Sequence, residues 1–377
     1  NTTIVLQENN MTTASTLYAQ SLDQCALVIA EGGHKRTVLV EGHMGSGKSS
    51  LLSMVGALKP KHKTFYFDCN TKTDAGDIGL PRFSMVDEQG YVTYVSNEEL
   101  GFHMDGPIIL MIDEFGKANK SVKNALLRTM LERRYGNNKL HPESIIFSTT
   151  NLGAEGVGDL LMPHERNRLT VIRNRKANSL EMVEYGLNND FHPSVLGWVH
   201  ENPQVMQSYE EVSDPSDNPY IFHPQQQRAA FVTGRSIEAA SDWLHAADRN
   251  DAITDDDLRS LLIGTIGDRG ALDLMAFVTL ANQLPTTQSI IDDPLSAIVP
   301  TSASALCMVV FRTLGSIDKG WVTQWMSYME RLDKEAQGMF VNGVRSAKYN
   351  KQSVVMTNNK FKDWALANKH LYSADKI

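Results

Sequence analysis

Five short apolar runs set the pattern of the first half of the chain: 37–41 (TVLVE), 64–68 (TFYFD), 107–113 (PIILMID), 144–150 (SIIFSTT) and 168–173 (RLTVIR). Each is apolar nearly throughout rather than alternating. That is the pattern of strands covered on both faces, as in a parallel sheet. Between them, 48–58 and 121–134 carry helical spacing. Strands that alternate with helices predict a doubly wound α/β layer. The stretch 12–30 (TTASTLYAQSLDQCALVIA) also has helical spacing, and Gly32-Gly33 then punctuates it.

From about Ser179 the strand pattern fades. Residues 236–249 (SIEAASDWLHAADR) are amphipathic. Residues 254–266 open with Thr254 as an N-cap and Asp257 three residues on, a capping-box pattern. Further helical stretches follow at 271–284, 304–314 and 320–340, with polar or Pro-rich linkers at 213–220 and 285–300. The pattern divides the chain into a lead-in helix (1–36), an α/β domain (37–178), a helical lid (179–285) and a C-terminal helical region (286–377).

Composition narrows the class. The 377 residues are 42% hydrophobic and 21% charged, which is ordinary for a globular protein with a sizeable core. The net charge of -8 argues against a protein that coats nucleic acid, although 161–176 packs Arg166, Arg168, Arg173, Arg175 and Lys176 together. Cys25, Cys69 and Cys307 are far apart and not in metal-ligand spacing, so they read as reduced thiols in a cytoplasmic setting. No run approaches the roughly 18 apolar residues of a membrane span, and no basic-then-apolar leader is seen, so no membrane association is expected.

The chemistry concentrates in three places. GHMGSGKS (42–49) fits G-x-x-x-x-G-K-[ST], directly after a strand and directly before a helix. Gly45 and Gly47 let the backbone curl so that its N–H groups point at phosphate oxygens. The helix start adds its positive dipole end. Lys48 is placed to reach the β- and γ-phosphates and Ser49 to ligate Mg²⁺; Gly42, His43, Met44, Ser46 and Ser50 complete the nucleotide-contacting stretch. IILMIDE (108–114) delivers an acidic pair to the end of a buried strand, where such sheets bind ligands. Asp113 would hold Mg²⁺, and Glu114 would position or activate the water that attacks the γ-phosphate of ATP. FSTTN (147–151) ends in Asn151. In a sheet where this strand lies between the other two, Asn151 can bond the attacking water or the γ-phosphate. It could equally open the turn that follows.

Taken together, these pieces resemble an AAA+ ATPase of the P-loop NTPase fold, and more narrowly the MoxR-like branch, whose members commonly work beside a partner with a von Willebrand factor A domain. Residues 77–83 (DIGLPRF) with 90–115 look like the helix-2 insert leading into the second acidic motif. ALLRTMLERR (125–134) through Thr149–Asn151 looks like the segment ending at the first sensor. PHERNRL (163–169) resembles the place where that branch carries its arginine finger. The branch often has Asp-Arg-Phe there; this chain has Asn167-Arg168-Leu169, which leaves Arg166 and Arg168 both as candidates. TGRSIEAASDWL (233–244) resembles the second-sensor helix, with Arg235 as its arginine. The resemblance implies a homo-oligomeric ring, usually a hexamer, with ATP between subunits and an arginine offered in trans.

Other residues carry blander readings. Phe83, Met85 and Tyr91–Tyr94 could touch a remodelled substrate, but the alternation of YVTYV predicts that they pack as a small hairpin. The stretch 135–143 reads as a turn or second hairpin. His141, His192 and His200 lack metal-ligand spacing and read as structural or surface groups. The five tryptophans fall on helical spacing and read as core or interface anchors, and the end of the chain as a solvated helix face. Three functions compete: an ATP-driven chaperone that remodels a partner protein, a ring ATPase that moves or loads on DNA or RNA, and a nucleotide-switched scaffold. The second is disfavoured by the acidic insert 74–106, where Asp74, Asp77, Asp87, Glu88, Glu98, Glu99 and Asp105 outweigh Arg82. The third is disfavoured by Glu114.

Overall fold

The computed structural model describes residues 18–86, 89–155, 161–281 and 284–372, in two compact units, Asn1–Lys176 and Ala177–Ile377. Nine strands form among the described residues: β1 Val38–Gly42, β2 Lys63–Asp68, β3 Gly79–Val86, β4 Gln89–Ser96, β5 Ile108–Asp113, β6 Arg134–Tyr135, β7 Asn138–Lys139, β8 Ile145–Asn151 and β9 Thr170–Asn174. The five apolar runs are β1, β2, β5, β8 and β9. They pair in parallel as one sheet in the order β2-β5-β8-β1-β9.

Side chains of successive strand residues point to opposite faces, so a continuous apolar run needs cover on both. The helix Lys120–Glu132 supplies one side, packing Val122, Leu126 and Met130 with Ile108, Leu110 and Ile112. The helices Leu22–Gly32 and Leu51–Leu58 supply the other, packing Ile29 and Val55 with Ile109, Met111 and Phe147. Each such side chain fully removed from water contributes about 1.5–3 kcal/mol. Burial on both faces holds for β1, β5 and β8. It fails for β2 and β9, which are the sheet's edges and stay partly exposed.

Several boundaries move for local reasons. The first helix among the described residues begins at Leu22, where Ser21 and Gln24 form a capping box; residues 12–17 of the expected helix lie outside the described residues. The helix expected at 48–58 opens as a tight 3₁₀ turn, Lys48–Ser50. The helix expected at 121–134 stops at Glu132, because Arg133 turns left-handed (φ 51) and its guanidinium bonds the carbonyls of Ser144 and Gly33. The last strand starts two residues late, at Thr170, after a short helix Pro163–Arg166. β3 and β4 form the expected antiparallel hairpin. Its apolar side chains do not pack into a core: Phe83 is 69% exposed, and Leu80, Met85, Tyr91, Val92, Tyr94 and Val95 are exposed with it. Asp87 and Glu88 lie outside the described residues. β6 and β7 form the second hairpin, turning at Gly136 (φ 56).

The second unit is helical and gathers one apolar core, from Met182 and Val195 to Phe340 and Trp364. Its helices are Ser179–Asn188, Pro193–Glu201, Gly234–Arg249, Asp255–Ala281, Thr287–Asp292, Ala303–Ser316, Val322–Met329, Lys334–Arg345, Gln352–Met356, Asn359–Ala367 and Lys369–Tyr372. The Thr254–Asp257 capping box forms, with Asp257 N–H on Thr254 Oγ1 at 3.2 Å and Thr254 N–H on Asp257 Oδ2 at 3.0 Å. Asp255–Ala281 is two helices joined at Gly267, whose φ of 81 suits glycine alone. The stretch 320–340 is likewise two helices, since Asp333 caps a new one by accepting from Ala336 N–H at 2.7 Å. The linker 285–300 holds the short helix Thr287–Asp292. Trp198, Trp321, Trp325 and Trp364 are core residues, whereas Trp243 is 39% exposed. No helix among the described residues is long and apolar enough to cross a membrane.

Candidate functional site

Strand order creates the site. β8 lies between β5 and β1, so three adjacent strands end side by side. They deliver Asp113, Asn151 and Gly42, the last two in direct register. Beyond Gly42 the chain curls through Gly45 (φ 68) and Gly47 (φ 84), conformations open to glycine at little cost. A Cβ at Gly47 would come within 2.7 Å of Leu22 Cδ1, a side-chain tip that can turn aside, so the left-handed backbone is what calls for glycine there. Lys48 is buried at the base of the loop. Its ammonium donates to Gly42 O at 2.8 Å, His43 O at 2.7 Å and Asn151 Oδ1 at 2.8 Å. Ser50 Oγ donates to Gly47 O at 2.7 Å, and Ser49 is exposed.

The loop suits a phosphate. Ser46 Oγ is buried and has no hydrogen-bond partner among the described residues. Such an orphaned group costs about 1–3 kcal/mol, which a phosphate oxygen would offset. The neighbouring cation ligands would be the Ser49 hydroxyl and the Asp113 carboxylate, an all-oxygen set that fits a hard divalent ion such as Mg²⁺.

Asp113 is buried and held from three sides. Tyr66 donates its hydroxyl to Oδ2 at 2.8 Å, Glu114 N–H donates to Oδ1 at 3.0 Å, and the Thr149 hydroxyl also donates to Oδ1. Burial, and then the Asp113 carboxylate beside it, push the Tyr66 hydroxyl well above the ordinary tyrosine range. Glu114 adopts a left-handed backbone (φ 53), an uncommon and mildly strained state for a residue with a Cβ. That turn breaks the strand direction immediately after Asp113. The Glu114 carboxylate pairs with Lys117.

The two arginine candidates differ. Arg166 forms a two-pronged ion pair with Glu41 of β1, with Nη1 on Oε1 at 2.7 Å and Nη2 on Oε2 at 3.3 Å. Arg168 is exposed and makes no side-chain hydrogen bond or ion pair among the described residues. Arg173 lies in β9, and the Arg175 guanidinium donates to Lys176 O at 3.0 Å. The basic run is therefore not one patch. Arg235 sits exposed on the first turn of Gly234–Arg249, in the second unit.

Sequence reasoning missed four contributors: Tyr66, Thr149, Lys117 and Glu155. Lys117 could have been found by its i+3 spacing from Glu114. Glu155, in the turn after β8, is buried against the loop: Oε1 lies 3.0 Å from His43 Nδ1, and Oε2 accepts from Met44 N–H at 2.9 Å. The acidic insert is partly structural, because Asp74 and Asp77 cap a short turn and Glu99 pairs with Lys72 at 2.6 Å.

The histidines in question have structural partners. His192 caps Pro193–Glu201 through Ser194 N–H and bonds Asp248 at 3.0 Å. His141 accepts from Glu143 N–H. His200 is less isolated than its spacing suggests: its Nδ1 lies 3.6 Å from both Cys307 Sγ and Glu201 Oε1. All three cysteines are free and buried, and burial raises Cys25 to about 11 and Cys69 to about 12.

Residues 37–148 match the AAA domain, dynein-related subfamily, which accounts for less than a third of the chain. None of the curated proteins matches. Among solved structures, NtrX from Brucella abortus in complex with ADP is similar at 14% identity over 98% of this chain and 74% of that one. Its TM-score is 0.38.

Proposed function

We propose that this chain, which carries an AAA domain over residues 37–148, is an ATP-hydrolysing ring ATPase that remodels or activates a partner protein. The observation that carries the reading is the convergence of Lys48, Asp113, Glu114 and Asn151 at the ends of three adjacent parallel strands. Residues 42–50 bind the phosphates. Ser49 and Asp113 would hold Mg²⁺, which when bound would supply positive charge beside the γ-phosphoryl group. Glu114 orients the attacking water once it leaves Lys117, and Asn151 trades its bond to Lys48 for one to the γ-phosphate or the water.

Arg168 is the arginine offered to a neighbouring subunit, because Arg166 is committed to Glu41. Arg235 acts as second sensor on sequence grounds. The ring is a homo-oligomer, a hexamer by the MoxR resemblance, working in the cytoplasm. The exposed apolar β3–β4 hairpin favours a protein over a nucleic acid as the substrate, and a von Willebrand factor A domain protein is the first partner to try.

Glu114→Gln tests the reading. It is expected to bind ATP with near-normal affinity, to lose turnover by about 10²–10⁴-fold, and to accumulate as an assembled ATP-bound ring on sizing columns. Unchanged steady-state hydrolysis would remove Glu114 from its role.

A further inference from the structure

We propose that Glu155 is a positioning residue of the phosphate loop, acting on His43 and Met44 rather than on the nucleotide. The proposal rests on the nucleotide-site reading of residues 42–50 and adds a residue that the loop motif does not contain.

A carboxylate is costly to bury unless each oxygen finds a donor. Glu155 is buried on the turn Gly153–Glu155 and uses both oxygens on the loop: one faces His43 Nδ1 at 3.0 Å, the other takes Met44 N–H at 2.9 Å. A carboxylate opposite Nδ1 assigns the ring proton to that nitrogen. His43 and Met44 are the second and third residues of the loop, ahead of the glycines that curl it. Four residues before Glu155, Asn151 holds Lys48 at the loop's far end. One short segment, 151–155, therefore grips the loop at both ends. A loop with a fixed entry holds its later N–H groups in position before a phosphate arrives, which lowers the ordering cost of binding. The carboxylate acts through the backbone and has no need to touch ligand.

Equilibrium titration of the full chain with fluorescent N-methylanthraniloyl-ADP tests this, with Lys48→Ala as the control for the nucleotide site. Glu155→Ala should weaken binding about tenfold, the loss of one charge-assisted hydrogen bond. Glu155→Gln should recover most of that, since its carbonyl still accepts from Met44 N–H. His43→Ala should weaken binding less, and the His43→Ala/Glu155→Ala double variant should bind no worse than Glu155→Ala alone. That coupling and that rescue are not expected of a merely structural residue. Should Glu155→Ala fail to fold, as judged by its thermal melt, Glu155→Gln and His43→Ala carry the test. If every Glu155 and His43 variant binds like the native chain while Lys48→Ala does not, the positioning role is overturned and the nucleotide site stands. If the native chain binds no better than Lys48→Ala, the nucleotide reading falls and the proposal falls with it.

Discussion

The two units bury polar atoms differently. In the first, Lys48, Asp113, Thr149, Glu155 and His43 are all buried around the end of one sheet, each bonded to another member of the set or to the loop backbone. In the second, side-chain hydrogen bonds cap helix starts, as at Thr254, Asp333 and His192, or tie single buried groups such as Gln337, Tyr328 and Tyr349 to backbone carbonyls inside a mostly apolar core. A polar cluster of that kind does not maximise stability, because paired buried charges do little better than well-packed hydrocarbon. It holds groups in place for chemistry. Function and stability should accordingly separate between the units.

The sharpest break is at the arginines. Arg168→Ala is expected to lower ATP turnover by about 10³-fold or more while nucleotide still binds. Arg166→Ala should cost within about 1 kcal/mol of stability, the worth of a partly exposed pair. Steady-state kinetics on both variants decides it, and a collapse confined to Arg166→Ala would reverse the assignment. Next in size is Trp198→Ala in the helical core, expected to destabilise by about 3–5 kcal/mol in denaturant titrations. ADP affinity should stay near native in that variant; a parallel fall would mean that the units do not separate.

The smallest effect is a pH dependence. Burial, outweighing the attraction of Asp248, holds His192 below its ordinary value. The unfolded chain then binds this proton more readily than the folded one. Stability from this site is intact above the ordinary histidine value of about 6.5 and falls as pH drops below it. His192→Asn keeps a side chain able to cap the helix and should flatten that slope. An unchanged slope in thermal melts across that range would exclude His192 as its source.

Much of this was legible in the sequence. β1, β5 and β8 were readable because strands covered on both faces announce themselves by apolar runs alone. The partial exposure of β2 and β9 was not, because being an edge depends on strand order, which is non-local. The break at Asp333 was hidden inside a stretch that is apolar enough to pass for one helix. The YVTYV alternation gave the hairpin but not its exposure, since alternation reports a strand's period and not what covers it. At the site, the phosphate loop and the acidic pair were legible because their spacing is local. The Lys48–Asn151 bond needed β8 beside β1. Glu155 left no signal, as its partners lie 111 and 112 positions earlier in the chain.

Leu22 Cδ1 lies 2.7 Å from where a Cβ on Gly47 would stand, and its helix packs Cys25, Ile29 and Ala30 onto Val38, Val40 and Val55. The helix therefore borders the phosphate loop at Gly47, yet it precedes the recognised AAA segment, which begins at residue 37. A fragment cut at that border would keep every motif residue of the loop and lose the helix packed beside it. A piece of this protein that starts ahead of Ser21 should accordingly be more stable than one that starts at residue 37.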